Sequence, residues 1–225
     1  MQSDESSQWT VVIPFKGSPD AKSRLAMADE HYPSVETDLR VRLSIAFLQD
    51  TVAAVLNTPC VNHLIVVTSD TAVTTGLSTE IFTVPDPGQG LNAAISAGLK
   101  VARTATSEAP VAVLTGDLPS LVTDDLATAL KLAEHYPRGV VPDHQGIGTT
   151  MITGLAGEVI TPHFGGASHL AHQRKGHASL PVSSDSTLRQ DVDTPRDLAR
   201  ALRHGVGTAT QNSMHADAHH CPEIA

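Results

Sequence analysis

The stretch Ala112-Val113-Leu114-Thr115-Gly116-Asp117-Leu118-Pro119 decides the fold. Its apolar run lacks polar alternation, as expected of a strand covered on both faces in a parallel sheet packed between helices, and Gly116 and Pro119 end it cleanly. Asp117 then stands at the strand's carboxyl end. Ligands of open α/β sheets bind at that edge, so a carboxylate carried there by a rigid strand is well placed to hold a metal ion. An Asp before a Pro also commonly caps a helix, here one beginning near Pro119, and from this stretch alone both readings stay open.

Upstream, Gln8 to Pro14 reads as a first buried strand. It leads into Phe15-Lys16-Gly17-Ser18-Pro19-Asp20-Ala21-Lys22-Ser23-Arg24-Leu25, where Gly, Ser, Pro and Asp disfavour regular structure. Lys16, Lys22 and Arg24 make this a basic loop directly after a strand. Such a loop suits a triphosphate, because its cations neutralise charge while backbone amides supply oriented donors, although the P-loop spacing is absent. A solvated loop with incidental cations is the competing reading. Thr37 to Asn57 has apolar residues at helical spacing and predicts the first covering helix. His63 to Thr68 and Glu80 to Val84 read as further strands, with Asp70 as cap of a short helical segment from Thr71 to Leu77.

Pro85-Asp86-Pro87-Gly88-Gln89-Gly90-Leu91-Asn92 is a shaped loop on the same sheet edge. Gly90 permits close approach of a ligand to the backbone, and Asn92 is expected to cap a helix over Ala93 to Arg103.

Downstream, Leu121 to Glu134 predicts a helix and Gly139 to Pro142 a strand. The glycines before Thr149 and Thr150 suggest a turn feeding another strand, with hydroxyls available to an anion or simply β-branched strand residues. Pro162 to Gly176 is less regular. There Gly165 and Gly166 precede Ser168, and backbone amides with a hydroxyl suit a phosphate or carboxylate. The histidines His163, His169, His172 and His177 match no standard zinc spacing, and polar contacts or exposure are expected of them. In Asp191-Val192-Asp193 the two carboxylates alternate about Val192 and point to one side of an extended segment. Thr194-Pro195 with Asp197 is the capping-box pattern of a helix running through Leu202.

The 225 residues are 40% hydrophobic but only 3% aromatic, so one sizeable core of small aliphatic side chains is expected. Against a net charge of -9, five of the fifteen Lys and Arg fall between Lys16 and Arg42 and none between Leu43 and Leu99. That clustering disfavours sequence-independent nucleic-acid binding and suits a small polyanion such as a nucleotide. No secretory signal or membrane span is evident, and Cys60 and Cys221 do not form a disulfide framework, so a cytoplasmic protein is expected. Residues 1–7 are expected to be disordered, 8–205 to form a single domain, and 206–225 to be a disordered, histidine-bearing tail.

Together, a cationic loop, a glycine-rich loop and two carboxylate positions on one sheet edge would hold a divalent metal against a nucleoside triphosphate, which is nucleotidyl-transfer chemistry. In order, Val12-Ile13-Pro14 with Lys16, Ala21-Lys22-Ser23-Arg24-Leu25, Gly90-Leu91-Asn92-Ala93-Ala94, Gly116-Asp117-Leu118-Pro119, Phe164-Gly165 with Ser168, and Asp191-Val192-Asp193-Thr194-Pro195 resemble the 2-phospho-L-lactate guanylyltransferases. That family includes the actinobacterial phosphoenolpyruvate guanylyltransferases of coenzyme F-420 biosynthesis, and the resemblance spans residues 8 to 205.

The resemblance implies an α/β fold with a Rossmann-like, mostly parallel sheet covered by helices, of the glycosyltransferase-A-like nucleotidyltransferase kind. It implies Asp117 and Asp191 as Mg²⁺ ligands with Asp193 nearby, and Asp117, Asp191 and Lys16 as the catalytic set. Lys22 and Arg24, with Gly90 and Asn92, fall on the GTP side. Lys16, Leu91, Thr149, Gly165 and Ser168 fall on the side of a phosphorylated three-carbon acid. The partners it implies are these small molecules, without nucleic acid or membrane, and a homodimer stays open. Alternatives are another phosphorylated acceptor (3-phosphoglycerate, a pterin or a sugar phosphate) or a nucleotide-binding paralogue without turnover. The chain departs from the family at Gly166, where Pro is usual, and at His169-Leu170-Ala171-His172, which replaces a basic pattern.

Overall fold

Strands β1 (Trp9–Pro14), β2 (Val61–Val67), β3 (Ile81–Val84), β4 (Val111–Leu114), β5 (Arg138–Pro142), β6 (Thr149–Gly154) and β7 (Ala178–Ser179) form one sheet in the order β3-β2-β1-β4-β6-β5-β7. The computed structural model describes residues 7–17, 22–71, 73, 81–106 and 108–218. Strand β1 pairs in parallel with β2 and β4, β2 with β3, and β5 with β7, while β6 alone runs antiparallel to its neighbours β4 and β5. The sheet is mostly parallel, as expected.

Helices α1 (Thr37–Leu56) and α3 (Thr123–Ala133) lie over one face and α2 (Leu91–Ala105) over the other; α4 (Ser168–Arg174), α5 (Pro195–His204) and α6 (Thr208–Ala218) follow. Alternation along the central strands divides the core. Val11, Ile13, Ala112 and Leu114 join Leu48, Val52, Leu126 and Leu130, whereas Val12, Val111 and Val113 join Ile95, Leu99 and Ile152. Every residue of β4 is buried, which explains its unbroken apolar run. Burying a side chain such as Leu114 is worth roughly 2 kcal/mol. Helix α2 seats close to the sheet because Gly98 has no side chain: a Cβ there would lie 2.5 Å from Val12 Cγ1 and 2.7 Å from Val67 Cγ2. A third cluster, Leu25, Leu43, Phe47, Val192, Leu198 and Ala201, ties α1 and α5 to the loop that follows β1.

Two expectations are corrected. Asn92 lies inside the first turn of α2 and Gly90, at φ 91°, occupies the N-cap position, a conformation that favours glycine. The stretch after 205 is not wholly a disordered tail, since Thr208–Ala218 is helical. The buried carboxylate of Asp50 on α1 accepts the N–H groups of Ala209 and Thr210, each at 2.9 Å, and so satisfies the start of α6 from outside the segment. Residues 74–80, which include most of the expected segment from Thr71 to Leu77, lie outside the described residues, as do residues 1–6, 18–21 and 219–225.

Candidate active site

The loops after β1 and β4 leave the same sheet edge because these strands are parallel. The antiparallel course of β6 brings its first residue, Thr149, to that edge too, and the Thr115 N–H donates to the Thr150 carbonyl at 2.9 Å. The β5–β6 connection also lies there. It is closed by the Asp143 carboxylate, which accepts the N–H groups of Ile147 at 2.9 Å and Gly148 at 2.8 Å.

Asp117 is not a helix cap. Helix α3 starts at Thr123, with Val122 at the N-cap position, so the carboxylate remains at the edge of the sheet. Its backbone carbonyl accepts the Val192 N–H at 3.1 Å, which fastens the Asp191–Asp193 segment beside it. Val192 is buried in the third core cluster, leaving the carboxylates on either side directed to the edge. The capping box is present as read from sequence: Thr194 accepts the Asp197 N–H at 3.2 Å and Asp197 accepts the Thr194 N–H at 2.9 Å.

Three carboxylates thus share a small volume with two cations. The Lys22 ammonium is paired with Asp117 and lies 2.8 Å from Asp193, and Arg24 Nη1 lies 3.4 Å from Asp193 Oδ2. Lys22 adopts φ 55°, a left-handed backbone rare for a side-chain-bearing residue. Burial opposes the ammonium charge, but Asp117 and Asp193 outweigh it and raise the Lys22 pKa. Burial also works against the Asp193 carboxylate, yet Lys22 and Arg24 lower its pKa. Asp191 goes the other way: burial, with the negative charges of Asp117 and Asp193, raises it against the influence of His144, whose Nδ1 is 3.5 Å away. His144 is itself held between Asp191 and Asp197, with Arg200 Nη2 3.2 Å from its Nδ1. Nothing in the local sequence of His144 or Arg200 marks this contact.

The donor set fits a divalent ion. Asp117 Oδ1 is buried without a hydrogen-bond partner and Asp191 Oδ1, equally buried, has only the His144 ring 3.5 Å away, an arrangement costly for carboxylate oxygens unless a cation completes it. Among the described residues no group of three or more Asp, Glu, His or Cys forms a metal cage by itself. A small hard ion held by one or two carboxylates, with phosphate oxygens and water filling the remaining positions, requires none.

Two clefts meet over these carboxylates. One, of about 400 Å³, is lined by Lys16, Lys22, Arg24, Ser44, Leu91 and Thr115, among others, and by Asp117 and Asp193. The other, of about 490 Å³, is lined by Leu91, Thr149, Gly165, Ser168, His144 and Asp191, and shares Arg24, Thr115, Asp117 and Asp193 with the first. The sequence-predicted residues are therefore brought together, except that Gly90 and Asn92 stand outside both linings at the start of α2. The Asn92 side chain instead clamps the loop before α4: its Oδ1 accepts the Phe164 N–H at 2.8 Å and its Nδ2 donates to the Phe164 carbonyl at 3.0 Å.

Of the four clustered histidines, His172 and His177 are buried, and the rings of His169, His172 and His177 make polar contacts, whereas His163 donates only its backbone N–H, to His172, and its ring Nε2 is buried without a hydrogen-bond partner. His172 touches Thr149, one of the acceptor-side residues named from sequence.

A family profile described as "Guanylyl transferase CofC like" matches residues 9–217. The chain belongs to this family. As a CofC-like guanylyl transferase it is 42% identical over 205 residues to the phosphoenolpyruvate guanylyltransferase of Streptomyces coelicolor, across 90% of this chain and 94% of the relative. Solved structures share the fold at low identity. They include 4-diphosphocytidyl-2C-methyl-D-erythritol synthase (TM-score 0.58, 14% identity, 88% of this chain and 99% of that one). Rv0371c of Mycobacterium tuberculosis H37Rv, solved as a complex with manganese, aligns with TM-score 0.55 and 17% identity, over 88% of this chain and 99% of that one. Among the described residues no helix is long and apolar enough to cross a membrane.

Proposed function

We propose that this CofC-like enzyme transfers GMP from GTP to the phosphate of phosphoenolpyruvate, or of 2-phospho-L-lactate, releasing pyrophosphate, as a cytoplasmic step of coenzyme F-420 biosynthesis. The observation that carries the reading is the meeting of two clefts over one set of carboxylates, a cation-lined one suited to a triphosphate and a hydroxyl-lined one suited to a small anion. The name of the Streptomyces relative supports phosphoenolpyruvate as the acceptor.

In this reading Lys22 and Arg24 bind and neutralise the triphosphate, and Lys16, which the resemblance puts on the acceptor side, joins them because it lines the first cleft and not the second. Thr149, with the Ser168 hydroxyl bonded to it from behind, and the backbone about Gly165 hold the acceptor with its phosphate toward the carboxylates that the clefts share. An acceptor phosphate oxygen attacks the α-phosphorus, the new P–O bond forms in line, and the bond to pyrophosphate breaks. That oxygen is already anionic near neutral pH, so no residue need serve as general base. Positioning and charge neutralisation carry the rate. Asp117 and Asp191 would hold Mg²⁺, which when bound supplies Lewis-acid stabilisation of charge on the transferred phosphoryl group.

The test is pyrophosphate release measured for each nucleoside triphosphate against phosphoenolpyruvate, 2-phospho-L-lactate and 3-phosphoglycerate. Release with GTP and a three-carbon enol or lactate phosphate is expected. Preference for another nucleotide or for 3-phosphoglycerate would replace the reading, and no release with any pair would indicate a nucleotide-binding paralogue.

A further inference from the structure

Behind the acceptor cleft a buried chain of polar groups has a direction that its geometry fixes. The His163 backbone N–H points at His172 Nε2 at 3.0 Å, so this nitrogen accepts and carries no proton. A neutral imidazole with a free Nε2 carries its proton on Nδ1, and Nδ1 lies 3.1 Å from Thr149 Oγ1, to which it donates. The imidazolium form would set a second N–H against that of His163. Ser168 Oγ also donates to Thr149 Oγ1, at 3.1 Å. A hydroxyl oxygen has two lone pairs and one proton. With both lone pairs of Thr149 filled, its proton can go only outward, and Thr149 lines the cleft.

We propose that His172 is a positioning residue: by filling a lone pair of the Thr149 hydroxyl from behind, it makes that hydroxyl a dedicated donor to an anionic oxygen, carboxylate or phosphate, of the acceptor. His172 is fully buried and does not line the cleft, so it acts through Thr149 rather than on the substrate. Its ring is wedged against the edge of Phe164, with centroids 5.0 Å apart, and Phe164 is the residue clamped by Asn92. The same ring therefore braces the Phe164–Gly165 loop and aims the hydroxyl facing it. Burial, with His177, His163 and His169 nearby, outweighs a backbone hydrogen bond with Ser168 and pushes the His172 pKa down to about 4, which keeps the ring neutral near neutral pH. The inference rests on the assignment of this cleft to the acceptor made above.

The two sides of the ring can be replaced separately. His172→Gln sets an amide oxygen near the place of Nε2 and keeps the contact to His163 without the donor to Thr149. His172→Asn sets an amide nitrogen near the place of Nδ1 and keeps the donor. In steady-state pyrophosphate-release assays, His172→Gln is expected to raise the acceptor KM about tenfold, with the GTP KM unchanged, as loss of one hydrogen bond to a charged group would do. His172→Asn should restore most of that loss. Thr149→Val should raise the acceptor KM similarly, and adding His172→Gln to it should cost nothing further. Thermal melts establish which variants fold, and if His172→Gln does not, His172→Leu, which also lacks a donor, and its combination with Thr149→Val read the same coupling. Additive effects in the double variant, or acceptor and GTP KM rising together, overturn the positioning role while leaving the enzyme's function standing. Absence of wild-type pyrophosphate release with every anionic acceptor overturns the functional reading, and this inference with it.

Discussion

The Val192 N–H donates to the Asp117 carbonyl at 3.1 Å, and this single backbone bond joins the two carboxylate-bearing segments of the site across the fold. Val192 is buried among Leu25, Leu43, Phe47, Leu198 and Ala201, so the packing of α1 and α5 sets where Asp191 and Asp193 stand. Val192→Ala is expected to cost about 2 kcal/mol in urea unfolding, the usual penalty for removing buried methyl groups. It should also raise the metal concentration needed for half-maximal rate. An unchanged metal requirement would show that the segment is held by other contacts.

Asp117→Asn keeps the shape of the side chain but removes the charge whose buried oxygen lacks a hydrogen-bond partner. The expected loss of turnover is on the order of a thousandfold, equivalent to several kcal/mol of charge stabilisation, with the melting temperature preserved. Near-normal turnover would remove Asp117 from the metal assignment.

Asp50 holds the first N–H groups of α6 from α1. Asp50→Ala should destabilise by about 1 to 2 kcal/mol, the range for loss of a helix cap. The expected change in hydrogen exchange is local: amides of Thr208–Ala218 should exchange faster while turnover stays within twofold. Unaltered exchange in this helix would contradict the capping role.

Acid should destabilise the protein through His172. Its folded pKa, about 4, lies below the ordinary 6.5, so between these values the unfolded chain binds a proton that the folded chain does not. Stability therefore falls as pH drops from about 6.5 toward 4, by up to about 3 kcal/mol. Burial lowers His177 as well, which adds to the trend with the same sign. Urea unfolding midpoints between pH 7 and 4.5 should decline less steeply in His172→Gln than in the wild type. Parallel curves would show that His172 is not the group responsible.

What the sequence made legible is local. The apolar run ending at Asp117, the alternation of Asp191 and Asp193 about Val192, and the Thr194–Asp197 capping box each have their physical cause within a few residues. Contacts across the fold were not legible. Asn92 meets Phe164 72 residues away, where the sequence pattern offers only a helix cap. His172 meets Thr149 across 23 residues, so its histidine neighbours raise zinc before they raise a hydroxyl. Helix α6 has a polar sequence without an apolar stripe, and its start depends on Asp50, 160 residues from Thr210. No single segment reveals the meeting of the two clefts either, because it depends on β6 running against β4.

The identity of the product tests the central claim most directly. Phosphorus-31 NMR and mass spectrometry of a reaction containing the enzyme, Mg²⁺, GTP and phosphoenolpyruvate should show a diphosphate-linked adduct of GMP and the acceptor, formed in step with pyrophosphate. Pyrophosphate accompanied only by free GMP, or no consumption of GTP, would contradict guanylyl transfer at the meeting of the two clefts.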